Sequence, residues 1–128
     1  MTIRTSYSKR RVIEIAQEKN FENKIKLYLK SHGCYFVKYF ANRMTKVGVP
    51  DILACINGSF VGIEVKSSTG KPSELQIHNV RAINECGGYA VIVSPEQWEY
   101  LKILIGTLEN LDFKDARQLV DSINAKFF

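Results

Sequence analysis

The chain has 128 residues and a mass of 14.6 kDa, room for one domain with a proper core and too little for two. Hydrophobic residues make up 45% and charged residues 24%, the balance of an ordinary globular protein. No apolar run approaches the roughly 18 residues of a membrane span, and Met1–Arg4 lacks the apolar stretch of a secretory signal. Membrane, fibrous and disordered classes are excluded.

Three cysteines, Cys34, Cys55 and Cys86, form no CxxC pair, which speaks against a disulfide framework or a structural zinc site. They suit a reducing compartment, and a cytoplasmic protein is expected. The net charge of +5 is unevenly spread. Residues 1–50 hold 11 Lys/Arg against 3 Glu, whereas residues 51–128 hold 7 Lys/Arg against 10 Asp/Glu. Such asymmetry fits a polyanion docking on one side, and equally a solvated basic face.

In chain order, residues 8–19 read as a short basic helix or arm. Asn20 is placed to cap a following helix with Phe21, Ile25, Leu27, Tyr28 and Leu29 as apolar positions and Gly33 as its stop. Cys34–Phe40 is rich in strand formers, with Tyr39 and Phe40 read as core. Two further strands, 51–56 and 59–66, meet at Asn57-Gly58, a dipeptide that tolerates positive φ and marks a tight hairpin. Ser73-Glu-Leu-Gln76 reads as a capping box opening a helix to about Glu85. Residues 89–94 form a short buried strand, Ser94-Pro95 starts another helix, and an amphipathic helix covers roughly 113–125. The expected fold is an α/β domain, α(α)βββαβα with a small mixed sheet flanked by helices.

The hairpin assembles charge. A two-residue turn pairs Ile56 with Ser59 and, followed outward, sets Asp51 across from Glu64. Side chains alternate in a strand, so Ile52, Ala54, Ile56, Val61, Ile63 and Val65 share an apolar face, while Asp51, Glu64 and Lys66 gather at one end of the other. Opposed Cβ atoms lie roughly 5 Å apart, and two carboxylates at that separation repel by about 3 kcal/mol at an effective dielectric of 20. One lysine offsets part of this. A divalent cation with oxygen ligands, Mg²⁺ or Mn²⁺, would offset the rest; a plain surface Asp–Lys–Glu cluster is the other reading.

Pro50-Asp51, followed after twelve residues by Glu64-Val65-Lys66, resembles the motif of the PD-(D/E)xK nuclease superfamily. The wider stretch, from Gly48-Val-Pro-Asp-Ile-Leu53 through Ile63-Glu-Val-Lys66 to Ser73–Gln76, is similar to its VRR-NUC branch, in which a helix bearing an acid, here Glu22, precedes the motif. The likeness covers about residues 20–95. It implies a restriction-endonuclease-like core, with residues 1–19 a basic N-terminal arm or helix and residues 96–128 C-terminal helices of the same domain. It also implies Asp51 and Glu64 as metal ligands with the Val65 carbonyl as a third, and Lys66 orienting the attacking water and offsetting charge on the phosphate. Glu22 becomes a further ligand or a supporting acid, although an acid in a first helical turn also suits the helix dipole. Gln76 stands beside the catalytic lysine in that branch and is equally the N3 partner of the Ser73 cap.

The activity implied is hydrolysis of DNA phosphodiesters by a divalent-metal-dependent endonuclease. Stand-alone members of the branch resemble Holliday-junction resolvases, many from phages and bacteria, and a chain this small has no insertion for reading a long site. A four-way junction is nearly two-fold symmetric, so paired cutting implies a homodimer, with Phe113, Phe127 and Phe128 as interface or core residues. Lys9, Arg10, Arg11, Arg43, Lys46 and Lys71 are candidate phosphate contacts. His32 and His78 have no ligand-spaced partner, and Gly70-Lys71 lacks the upstream glycine of a P-loop. The rival readings are a flap or non-specific nuclease, a restriction-type nuclease, and a non-catalytic DNA-binding module.

Overall fold

The computed structural model describes residues 2–128, with side chains described from Lys9 onward. The elements are α1 (Thr2–Ser31), β1 (Tyr35–Lys38), β2 (Ile52–Ile56), β3 (Ser59–Val65), α2 (Glu74–Glu85), β4 (Tyr89–Val93), a 3-10 turn at Pro95–Gln97, α3 (Trp98–Glu109) and α4 (Phe113–Asn124).

The arm and the helix expected to begin at Asn20 are one continuous 30-residue helix. Neither glycine nor proline occurs between Thr2 and Ser31. An interior Asn costs less than about 0.7 kcal/mol relative to Ala, whereas restarting a helix means nucleating it again. Asn20 is therefore an exposed mid-helix residue and not a cap. Phe21, Ile25 and Leu29 are buried and Tyr28 packs against them. Leu27 lies off this stripe and is 69% exposed, which corrects its assignment as an inward position.

The turn chemistry dictates the hairpin. Asn57 (φ 47°) and Gly58 (φ 88°) both adopt the left-handed region, the signature of a two-residue hairpin turn. The register runs from Ile56↔Ser59 to Ile52↔Ile63 as expected. β1 pairs antiparallel with β2 from Tyr35↔Cys55 to Lys38↔Ile52, and β4 pairs parallel with β3, giving a mixed sheet of order β1-β2-β3-β4. The regular pairing of β1 ends at Lys38, one residue before the Tyr39 N–H makes a last bond to the Asp51 carbonyl. Phe40, beyond that end, is 72% exposed and not part of the core.

One sheet face, carrying Ile52, Ala54, Ile56, Val61, Ile63, Val65, Val91 and Val93, packs on Phe21, Ile25 and Leu29 of α1, Leu101, Leu104, Ile105 and Leu108 of α3, and Ala116, Val120 and Ile123 of α4. On the other face Ala90 and Ile92 meet Val80 of α2, with Ile77, Ile83 and Phe127 at the margin. That helix covers Gly62 and Glu64 of β3 and leaves the hairpin end of this face open across the first three strands. Tyr35, Cys55 and Phe60, aligned across them, are all exposed. Phe113 (46% exposed) lies stacked on Tyr89, and Phe128 (47%) lies under Arg81.

Candidate active site

The site lies where β2 begins and β3 ends, between α1 and α2. Gly48 (φ 87°) brings the incoming loop against α2, so close that a Cβ there would sit 2.9 Å from the Leu75 backbone. Buried Pro50 then delivers Asp51 to the start of β2. The Asp51 carbonyl accepts the Tyr39 N–H at 2.8 Å. Of its carboxylate oxygens, Oδ2 accepts the Val65 N–H at 2.9 Å and Oδ1 lies 3.4 Å from Lys38 Nζ. A strand residue's N–H and C=O point to the same side, so the Val65 carbonyl also faces Asp51.

Glu64 is 1% exposed. Its Oε2 accepts the Gln76 side-chain N–H at 3.0 Å and lies 3.5 Å from Lys66 Nζ. Its Oε1 is buried with no hydrogen-bond partner. Burial, then the nearby Asp51 charge, push the Glu64 carboxyl up to about 8 against the pull of Lys66. Gln76 is also the N3 partner of the Ser73 cap, its Oε1 accepting the Ser73 N–H at 2.9 Å within a complete capping box, and its side-chain N–H goes to Glu64.

The long helix completes one wall. Glu22 is not in a first turn, because α1 starts twenty residues earlier, so the helix dipole does not account for it. Its carboxylate binds Lys38 Nζ at 2.6 Å and Lys26 Nζ at 3.2 Å. Burial raises its pKa, but these hydrogen bonds and charges outweigh that and hold it below the usual carboxylate value. Glu22 therefore reaches Asp51 through Lys38. One turn earlier, burial pushes Glu18 up, against the attraction of Lys66, and Gln17 Oε1 accepts the Ser68 N–H at 2.8 Å, tying α1 to the chain just past Lys66.

Lys38, Glu18 and Gln17 escaped the sequence reading. Lys38 carried a usable signal: extending the β1–β2 pairing sets it opposite Ile52, next to Asp51. The two α1 residues reach the site only through helix packing. The basic candidates fall in three places: Lys9, Arg10 and Arg11 on exposed α1, with Arg11 3.6 Å from Glu14; Arg43 and Lys46 on the loop before β2; and Lys71 on the loop after β3, all exposed. His32 pairs with Glu109 at 3.0 Å, away from the cluster.

The donor set fits a hard divalent cation. Among the described residues, no group of three or more His, Cys, Asp or Glu side chains gathers as a metal cage. Asp51 and the unpaired Glu64 oxygen, with a backbone carbonyl, make instead a sparse oxygen set that leaves positions for water and phosphate, the way Mg²⁺ is usually held. A buried anionic oxygen without a donor is costly, and a cation would relieve it.

A family model described as archaeal Holliday junction resolvase (Hjc) matches residues 14–107, from mid-α1 into α3, a span that includes Glu22, Lys38, Asp51, Glu64, Lys66 and Gln76. The chain belongs to the Hjc family. It is thereby a structure-specific nuclease of the PD-(D/E)xK superfamily, with a restriction-endonuclease-like fold and branched DNA as substrate. The superfamily resemblance holds, and the branch matched is Hjc; resolvases of this family depend on a divalent cation. Comparisons with curated proteins and with solved structures return no significant match. Among the described residues no helix is long and apolar enough to cross a membrane.

Proposed function

We propose that this Hjc-family nuclease cuts four-way DNA junctions with Asp51, Glu64 and Lys66 as its catalytic core. The carrying observation is the buried, unpaired Glu64 Oε1 beside Asp51, with Lys66 Nζ 3.5 Å from the other oxygen of the same carboxylate. Asp51, Glu64 and the Val65 carbonyl would hold Mg²⁺, with Mn²⁺ as a substitute, and Glu22 supports Asp51 through Lys38. The ion, when bound, supplies Lewis acidity to the phosphate and makes water more acidic. Lys66 orients the attacking water for in-line displacement and offsets the charge that builds on the phosphate. Gln76 keeps Glu64 Oε2 satisfied and its carboxylate turned toward Asp51.

The segment around Asp51, Glu64 and Gln76 keeps a VRR-NUC-like pattern, which favours a bacterial or phage-infected cell, and three free cysteines fit its cytoplasm. Within the single domain, residues 20–95 form the nuclease core, and the basic first half of α1, with Arg43, Lys46 and Lys71, positions DNA without reading sequence. Paired cuts on a two-fold junction call for a homodimer. The open sheet face bearing Tyr35 and Phe60 is better suited to contact a second copy than the C-terminal phenylalanines, since Phe127 packs toward α2.

The test is cleavage of labelled four-way junction, flap and linear duplex side by side with Mg²⁺, Mn²⁺ or EDTA. Paired, metal-dependent cuts confined to the junction support the reading. Equal cutting of all three removes the junction specificity, and tight binding without cutting in either metal favours a non-catalytic module.

A further inference from the structure

Between the loop that follows β3 and the C-terminal end of α4 lies a recess of about 390 Å³, lined by Ser68, Thr69, Gly70, Lys71, Pro72, Ile77, Lys126 and Phe127. Its lining combines two lysines and two hydroxyls with the apolar surfaces of Phe127, Pro72 and Ile77. The loop is tightly wound: the Gly70 N–H bonds the Ser67 carbonyl at 3.2 Å, and a Cβ on Gly70 would meet Ser67 Oγ at 3.0 Å. Ser67 itself is 1% exposed with an unpartnered hydroxyl, and Gln17 anchors Ser68 from the other side. This loop is thus a fixed element, starting at Lys66.

Lys126 is held ready at the rim. Its Nζ donates to Ser94 Oγ at 2.7 Å and lies 3.9 Å from Glu96 Oε2, a separation too long for a hydrogen bond. Lys71, the other lysine of the lining, is exposed. Ser68, the lining residue nearest Lys66 in the chain, follows it by two residues, and two residues of extended chain span at most about 7 Å. Lys126 stands outside the segment matched by the family, and α4 had no part in the site described above.

We propose that this recess binds a backbone phosphate of the junction strand flanking the one being cut, with Lys126 and Lys71 supplying charge and Ser68 and Thr69 hydrogen bonds. Glu96 acts as the resident anion that the phosphate displaces from Lys126. The Ser68 hydroxyl beside Glu96, ahead of weaker contributions, holds that carboxyl below its usual range, so it is charged at neutral pH and competes. The proposal takes from the nuclease reading only that the ligand is DNA.

The test is equilibrium binding of the full chain to a four-way junction in EDTA across 50–200 mM KCl, for wild type, Lys126→Gln, Glu96→Gln and Ser94→Ala. Lys126→Gln should weaken binding by about three- to tenfold and lower the slope of log Kd against log salt by about 1. Glu96→Gln should tighten binding by about two- to threefold, a gain that misfolding does not produce. Wild-type Kd and slope for Lys126→Gln, no gain for Glu96→Gln, or a salt slope lowered equally by Ser94→Ala, which keeps the Lys126 charge, would overturn the subsite. A wild type that does not bind the junction at all would instead overturn the DNA reading itself.

Discussion

Gln76 on α2 donates to Glu64 Oε2 on β3 at 3.0 Å while its own Oε1 accepts the Ser73 N–H at 2.9 Å. One side chain thus closes the helix cap and gives one oxygen of the buried Glu64 carboxyl a hydrogen-bond partner. Gln76→Ala removes both. The expected outcome is a loss of about 1 kcal/mol of stability in urea unfolding, together with a clear fall in junction cleavage. Ser73→Ala, which damages the cap alone, should reproduce the first effect without the second.

The raised pKa of Glu64 has a consequence for stability. Its folded value of about 8 lies above the ordinary 4.5. Below 4.5 the carboxyl is neutral in both states. Between 4.5 and 8 the unfolded chain gives up its proton while the folded one keeps it, so the cation-free protein loses stability as pH rises through that window and levels off above it. Glu18 shifts in the same direction. Glu22, held low, acts oppositely, and its contribution disappears as pH falls through its folded value. Thermal unfolding in EDTA should show melting temperature falling from pH 5 to pH 8, and added Mg²⁺ should raise it more at pH 8.5 than at pH 6. A flat EDTA profile would contradict the account of Glu64.

Lys38 joins Glu22 and Asp51, at 2.6 and 3.4 Å, with all three side chains less than a quarter exposed. Removing it leaves two carboxylates facing each other. Lys38→Met is expected to destabilise by about 2 kcal/mol, and Glu22→Gln in the same chain should recover part of that. A double-mutant cycle by denaturant titration checks it: coupling of about 1 kcal/mol is expected, and strict additivity would show the trio to be unlinked.

Gly48→Ala tests how the loop delivers Asp51. At φ 87° an alanine is strained, and its Cβ would fall 2.9 Å from the Leu75 backbone. A loss of about 2 kcal/mol or more is expected, with reduced cleavage even where the chain is folded. Gly58→Ala, equally left-handed but with open space around it, should cost only the backbone strain.

Where local chemistry decides the structure, the sequence was a sufficient guide. Asn57-Gly58 fixes the hairpin, the hairpin fixes which residues oppose, and Asp51 and Glu64 meet as a result. Ser73 and Gln76 announce their own cap. The continuity of α1 depended instead on weighing a weak Asn20 signal against the absence of any breaker, and the weak signal misled. Lys38 follows from extending the β1–β2 pairing, whereas Glu18 and Gln17 reach the site through the packing of α1 over the sheet, which no window of sequence contains. Phe40 looked like core because its neighbours did, but pairing in β1 had already ended two residues earlier at Lys38.

The most direct test of the central claim is single-turnover cleavage of a four-way junction in Mg²⁺ by wild type and Lys66→Met, with junction binding measured in parallel. The account predicts a rate loss of about 10²-fold or more with binding changed by less than about threefold, because Lys66 acts on the reacting phosphate and the wider basic surface holds the DNA. A Lys66→Met enzyme cutting at the wild-type rate, or wild-type cutting that persists in EDTA, would contradict it.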